Sequence, residues 1–329
     1  MSKQSFDKKL EAIEALRAEP GSPATLDQIR KALRDRNNYL VSKAAALAAD
    51  LSLCELIPDL LAAFDRFFID PVKSDPQCWA KNALAKALKR LGHRDARAYL
   101  RGIVHIQLEP VWGGRADSAA TLRGTCALAL VDCQLDDLEI LSHLTDRLAD
   151  SEKPVRIDTA TAISQLGRPE GALLLRLKAL LGDREPEVMG QCFSSLLNLT
   201  PRDSVPFIGR FLKAADESVR LEAAAALAQS REPETIEILK NFWRDPLSPG
   251  LRNAFVTALG ASPLSEAAEF LLSIIADESD QLAANALAAL AASRFRAEMR
   301  GRIAAIVEGK HDLNLRRIFE EKFPESEGA

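Results

Sequence analysis

Apolar and polar positions recur along most of the chain in one short phrase. It reads Leu122-Arg123-x-x-Cys126-Ala127-x-Ala129-Leu130, and returns as Val155-Arg156-x-x-Thr159-Ala160-x-Ala162-Ile163. Val219-Arg220-x-x-Ala223-Ala224-x-Ala226-Leu227 and Leu251-Arg252-x-x-Phe255-Val256-x-Ala258-Leu259 are two further clear copies. At about 100° per residue, the apolar offsets 0, 4, 5, 7 and 8 share one arc of roughly 160°, the buried side of an amphipathic helix. A second apolar helix is expected between copies, as from Thr235 to Trp243 or Glu266 to Ile275. Prolines stand near the start of these helices at Pro169, Pro233 and Pro263, where a missing N–H costs nothing. Each unit therefore reads as helix, turn, helix.

Looser copies extend the series to openings at Val41, Ala80, Leu122, Val155, Val188, Val219, Leu251, Leu282 and Leu315, in steps of 39, 42, 33, 33, 31, 32, 31 and 33 residues. A period of this size means stacked helical hairpins. The expected fold is all-α: a right-handed α-solenoid of about eight to nine hairpins in one continuous domain. A capping helix is expected within 1–23, repeats over 24–323 and a disordered tail over 324–329. Phe6, Leu10, Ile13 and Leu16 give the first helix its apolar face. The phrase, preceded in several copies by an aspartate, resembles the HEAT repeat, in the short form also found in phycobilisome-lyase proteins. The resemblance covers residues 24 to 323 and implies an armadillo-like helical fold. It implies little about function, since such solenoids serve many roles.

Composition narrows the picture. The chain is 47% apolar but only 5% aromatic, as helical stacks built on small residues tend to be. Its net charge of −4 is uneven: residues 1–110 carry 18 basic and 14 acidic side chains, the remainder 25 and 33. A nucleic-acid cradle running the whole length would need positive charge throughout. No apolar signal core follows Met1 and no run of about 18 apolar residues occurs, so neither export nor a membrane span is expected. The cysteines, Cys54, Cys78, Cys126, Cys133 and Cys192, form no C-x-x-C pair. They read as free thiols in a reducing cytoplasm.

Few residues suggest chemistry. Arginine recurs at offset 1, as Arg123, Arg156, Arg220, Arg252 and Arg316, inside the buried arc, where a charge must be paired. Aspartates precede several copies, at Asp150, Asp183, Asp216, Asp245, Asp277 and Asp312. The HEAT resemblance implies an Asp–Arg ladder linking successive repeats; a ligand role for the arginines is the alternative. The histidines, His93, His105, His143 and His311, have no metal spacing. The chain lacks the repeated His-Glu dipeptides with which the HEAT-like deoxyhypusine hydroxylases hold iron. No metal, cofactor or catalytic constellation is expected.

Candidate binding residues fall in two places. Offsets 2, 3, 6, 9 and 10 face away from the buried arc and, by the same resemblance, line the concave surface. They present Asn82, Lys86, Lys89 and Arg90 at one end, then Thr125, Asp132, Asp158, Thr161, Gln191, Ser194, Glu222, Asn253 and Asn285. The basic end belongs to a cluster of Lys81, Lys86, Lys89, Arg90, Arg94, Arg97 and Arg101, opposed only by Asp95. It reads either as a solvated face or as a contact for an acidic or phosphate-bearing partner. The second place is a pair of insertions, Ile69 to Pro76 and His105 to Ser118, behind the two long steps. Both lie between the first and second helices of their units and emerge on one edge. They carry Val72, Val111 and Trp112, with Trp79 nearby. Trp112 reads as an interface anchor on a glycine-rich loop, or as a cover folded back on the stack.

The leading functional expectation is a non-enzymatic scaffold that binds another protein or peptide, an acidic one where it meets the basic end. A helical-repeat DNA glycosylase is the enzymatic alternative; it would want a basic groove, aromatic clamps and a carboxylate. A phycobilisome-lyase-like chaperone is suggested only by the repeat resemblance.

Overall fold

The computed structural model describes residues 3–18 and 22–324, with side chains from Phe6 onward. The expected tail lies outside the described residues beyond Pro324. The chain separates into two compact units, Met1–Arg168 and Pro169–Ala329, and each is described by itself.

The first unit contains α1 (Lys3–Ala15), α2 (Pro23–Leu33), α3 (Asn38–Asp50), α4 (Ile57–Arg66), the short α5 (Pro71–Ser74), α6 (Trp79–Arg90) and α7 (Ala96–Ile103). A hairpin of β1 (Leu108–Val111) and β2 (Gly114–Asp117) follows, then α8 (Ala120–Leu130), α9 (Asp137–Leu148) and α10 (Lys153–Leu166). The phrase helices α3, α6, α8 and α10 pack side by side in chain order, and α2, α4, α7 and α9 each pack on the phrase helix that follows. Helix α1 rests on α3 and α2, with Ile13 buried and Phe6 6.2 Å from the ring of Tyr39.

The second unit repeats the plan with α11 (Pro169–Leu181), α12 (Pro186–Leu199), α13 (Pro201–Gly209), α14 (Glu217–Gln229) and α15 (Glu234–Trp243). It continues with α16 (Pro249–Gly260), α17 (Ser265–Asp277), α18 (Asp280–Ala292), α19 (Arg296–Lys310) and α20 (Leu313–Lys322). Its phrase helices α12, α14, α16, α18 and α20 stack in order. The architecture is an all-α solenoid of helical hairpins, with one two-stranded sheet among the described residues that the helical periodicity does not predict.

Local chemistry explains the helix boundaries. Asn37, Asp95, Asp136, Asp216, Ser248 and Asp312 each accept a backbone N–H in the first turn that follows, satisfying donors with no partner inside the helix. Pro154, Pro169, Pro186, Pro201 and Pro249 occupy the first turns of their helices. Buried arcs match the phrase: Leu122, Cys126, Ala127, Ala129 and Leu130 are all interior, as are Val155, Thr159, Ala160, Ala162 and Ile163. Small side chains at these slots let adjacent phrase helices approach closely.

All five cysteines are free thiols. Burial pushes the thiols of Cys78 and Cys192 up to about 12, drives Cys126 higher still, and raises Cys133 to about 11. Cys54 is exposed. No helix among the described residues is long and apolar enough to cross a membrane.

Candidate interaction surface

The two insertions of the first unit meet over a buried polar network. Asp75, wholly buried, accepts hydrogen bonds from Asn38 Nδ2 at 2.9 Å, from the backbone N–H of Ala80 and Lys81, and from Lys81 Nζ at 3.0 Å. Lys81 stands at offset 1, where other copies carry arginine. It is 0% exposed and also donates to the Phe67 carbonyl at 3.2 Å. The sequence places Lys81 in the surface basic cluster; the structure corrects this, because the offset-1 position points into the core. Gln107 Nε2 donates to the Asp75 carbonyl and to Glu109 Oε1, both at 2.7 Å. Glu109 also accepts from Ser118 Oγ and from the Gln77 N–H, tying the second insertion to the first. Burial would raise the Glu109 carboxyl, but these hydrogen bonds outweigh it and hold it below its ordinary value.

Arg123 closes the network. It forks onto Asp150 at 2.8 and 2.9 Å and reaches Asp117 at 2.6 Å and the His105 carbonyl at 2.9 Å. Its side chain is 1% exposed. Desolvation opposes the guanidinium, yet two carboxylates raise its pKa, and the Asp150 carboxyl is lowered in return. Asp117 accepts from the N–H groups of Gln107 and Ala119. His105 packs edge-on against Phe68 at 4.8 Å, and burial lowers its pKa.

Above this base the hairpin pairs Leu108 with Asp117, Glu109 with Ala116, Pro110 with Arg115 and Val111 with Gly114. Trp112 and Gly113 form the turn, Gly113 at φ +86 where a side chain would be strained. The segment leading into β1 alternates in reverse of a normal half-buried strand. His105, Gln107 and Glu109 point inward, whereas Val104, Ile106 and Leu108 are exposed. Val111, Ile69 and Val72 are exposed too, and Trp112 is 103% exposed at the tip. Trp112 therefore does not fold back to cover the stack. Trp79 is part-exposed at the start of α6, edge-on to Tyr39 at 5.3 Å.

The basic cluster is largely neutralised within the chain. Arg90 pairs with Asp50, Lys89 with Asp132 at 3.8 Å, Arg97 with Asp95, and Arg101 with Asp65 at 2.7 Å. Arg101 also covers the Phe68 ring at 4.2 Å. Among the described residues no carboxylate lies within ion-pair distance of Lys86 or Arg94. A dense cationic face thus reduces to two side chains outside an ion pair, Lys86, with Asp158 near it, and Arg94, because aspartates distant in sequence return beside the patch.

On the phrase helices a regular contact emerges: offset 2 of one copy meets offset 3 of the next. Gly124 lies beneath the Asp158 carboxylate and Gly190 beneath that of Glu222, so that a methyl group on either glycine would overlap the acid. Asn285 Nδ2 donates to Asn253 Oδ1 at 2.8 Å in the same relation. Offsets 2 and 3 are accordingly part-buried rather than open. Burial raises the Asp158 carboxyl, with Lys86 pulling it partly back, and raises that of Glu222, with Glu187 adding to the rise. Asn82 Oδ1 is buried with no hydrogen-bond partner among the described residues, and Gln191 donates to Ser195 Oγ at 3.2 Å.

The arginine series divides. Arg123 has the buried carboxylate partner just described, and Arg156, also buried, donates to the carbonyls of Asp150 and Ser151. Arg220 departs from the expected ladder. Its side chain is 24% exposed, its ion pair is with Glu217 of its own helix at 3.5 Å, and its Nε has no acceptor among the described residues. Asp245, which precedes the next copy as Asp150 does for Arg123, is exposed before Pro246. Arg252 pairs with Glu278 at 3.4 Å and lies over the Trp243 ring at 4.5 Å. Arg316 is 65% exposed and pairs with Glu320 of its own helix, so it is not a ladder residue either. Among the described residues no three His, Cys, Asp or Glu side chains gather as a metal-holding group.

With this geometry in view, residues 173–292 are recognised as HEAT repeats: the family model for HEAT repeats matches over 173–260 and again over 205–292. No curated protein matches the chain in sequence. Among solved structures, a chain of the complex of CpcE and CpcF of phycocyanin lyase from Nostoc sp. is 18% identical, covers 93% of this chain and 97% of its own, and superposes with a TM-score of 0.37. Human deoxyhypusine hydroxylase in complex with glycerol is 19% identical over 79% of this chain and 91% of its own, with a TM-score of 0.31. An engineered protein is 17% identical over 98% and 95%, with a TM-score of 0.33. Superpositions this loose carry no function across.

Proposed function

We propose that the chain is a non-enzymatic interaction scaffold that seats a protein partner on the outer face of the hairpin and its adjoining loop. The observation that carries this reading is the reversed alternation over 104–109. The inward row of His105, Gln107 and Glu109 is held by hydrogen bonds that no apolar side chain could replace. The outward row of Val104, Ile106 and Leu108 therefore cannot turn in, and it leaves a contiguous apolar strip facing water. Such strips mark docking sites. A hairpin fixed at its base also loses little entropy on binding, and Trp112 at its tip has the character of a buried interface anchor.

The partner's contacts are mainly apolar. With most of the basic cluster paired internally, Lys86 and Arg94 leave acidic complementarity a minor, salt-sensitive part of recognition. The cytoplasm suits a protein with five free thiols. The glycosylase alternative can point to Asp158, a half-buried carboxylate near Lys86. Its surroundings lack the broad positive face that duplex DNA requires. The lyase alternative gains no observation beyond the shared repeat.

The test begins with capture of a partner from native-host lysate and continues with the purified pair. Trp112→Ala and the double change Ile106→Ser/Leu108→Ser should each weaken binding by tenfold or more, about 1.4 kcal/mol. Gln191→Ala and Glu222→Ala should leave it unchanged. The opposite pattern would move the site to the phrase-helix face of the second unit and end this reading.

A further inference from the structure

The hairpin of the first unit leaves a backbone edge open. The Ser118 N–H donates to the Gln107 carbonyl at 3.0 Å, which fixes the phase of the ladder. Bonded and non-bonded pairs alternate along an antiparallel pair of strands, so Glu109–Ala116 and Val111–Gly114 are the bonded ones. Leu108–Asp117 and Pro110–Arg115 fall between them, and their N–H and C=O groups point away from the facing strand. The two edges differ. On β1, Pro110 has no N–H, which blunts that edge. On β2, Arg115 and Asp117 keep both backbone groups, and these meet no hydrogen-bond partner among the described residues. Gly114, Arg115 and Ala116 are exposed. An edge of this kind is a template for one more strand.

The edge also carries a charge that selects its occupant. The Arg115 side chain is exposed, and it has no ion pair or hydrogen bond among the described residues. Residues directly opposite each other in a sheet share a face, so an added strand sets one of its side chains beside this guanidinium. A second copy of the chain fits poorly. Its own β2 would bring Arg115 against Arg115, or against Asp117, whose carboxylate is already buried on Arg123 at 2.6 Å. The end of β2 is held in place, because Asp117 Oδ1 accepts the N–H groups of Gln107 and Ala119. A preformed edge loses little entropy on pairing. We infer that the partner presents an extended segment that adds to the outer edge of β2 as a third strand, with a carboxylate facing Arg115. This rests on the hairpin being the docking surface, and it adds the backbone form of the partner and one side chain that it must carry. Main-chain hydrogen bonds supply affinity, and the Arg115 pair supplies register.

The probe is a phage-displayed library of random peptides of about six residues, an ordinary strand length, panned on the full chain with Arg115→Pro as the counter-selecting surface. Recovered peptides are then synthesised and titrated by fluorescence anisotropy. They should carry an acidic residue at one fixed place, and Arg115→Pro, which removes the edge donor, should weaken them at least tenfold. Arg115→Glu should weaken them too, and exchanging the peptide's acid for lysine should restore binding to that variant. Methylating the peptide's backbone nitrogens one at a time should abolish binding at alternate positions and spare those between. That scan alters the peptide alone, so it stands even where Arg115→Pro disturbs the hairpin. Peptides that lose binding with Trp112→Ala or Ile106→Ser/Leu108→Ser but ignore Arg115→Pro and show no alternation on methylation would keep the hairpin surface and overturn the third strand. Peptides indifferent to every one of these changes would count against both. A library that yields nothing selective for the parent over Arg115→Pro, or a parent whose self-association is abolished by Arg115→Pro, would also overturn the inference, the latter by placing a second copy on the edge.

Discussion

Arg123 and Arg220 occupy the same offset of the same phrase, yet they should behave as different residues. Removing Arg123 leaves Asp117 buried without its guanidinium and Asp150 with only Arg147 at 3.5 Å, which costs about 3 kcal/mol. Arg220 has one long ion pair within its own helix, and its loss should cost about 1 kcal/mol or less. Urea melts of Arg123→Ala and Arg220→Ala separate the two; equal shifts would mean that burial does not set the difference. The carboxylates divide by pH. Asp150 and Glu109 titrate below their ordinary values when folded. The stability they supply is complete above the ordinary carboxylate range and is lost as pH falls through it to their folded values. Asp158 and Glu222 have the opposite sign. Their folded values are raised, so their ionisation costs stability as pH rises from the ordinary carboxylate range through the folded value, and the cost persists at neutral pH. Asp158→Asn should therefore melt higher than the parent at pH 7, and the gap should close in acid, where the parent's Asp158 is protonated. A gap of constant size at all pH values would remove the charge from the explanation.

The hairpin is the element where sequence and structure part company. Helices were legible because burial on one side repeats every few residues: Leu122, Cys126, Ala127, Ala129 and Leu130 announce α8 without help from any neighbour. The second insertion reads only as a long loop, although Val104 to Glu109 alternates with period 2 and Gly113-Gly114 supplies a turn. That signal is easily taken for a loop because its polar row lies inside, inverting the usual rule. The pairing of Gln107 with Asp75, 32 residues away, leaves no local trace. The basic cluster misleads for the same reason, since Asp50, Asp65 and Asp132 return to it from a distance. Two substitutions measure the element. Gln107→Ala strips partners from Glu109 and from the Asp75 carbonyl and should cost about 1–3 kcal/mol. Trp112→Ala, touching only water, should stay within about 0.5 kcal/mol of the parent. A large loss of stability from Trp112→Ala would mean that the tip packs on the stack in solution.

At the scale of the molecule, charge limits what the chain can hold. The residues after 110 carry 25 basic against 33 acidic side chains, so duplex DNA should bind no tighter than the non-specific range of about 10⁻⁴ to 10⁻⁶ M at physiological salt. Fluorescence anisotropy with a labelled duplex checks this, and tight, sequence-selective binding would revive the glycosylase reading. Repeat stacks hold together through nearest neighbours, so their parts can open separately. The interior thiols turn this into something that can be timed. Cys78 and Cys126 sit in the first unit and Cys192 in the second, each sealed and protonated while its surroundings are closed. A maleimide pulse read peptide by peptide would mark Cys54 at once and the others only as their own repeats breathe. The chain carries its own stopwatches, one set in each half, and the order in which they are struck gives the order in which the stack comes apart.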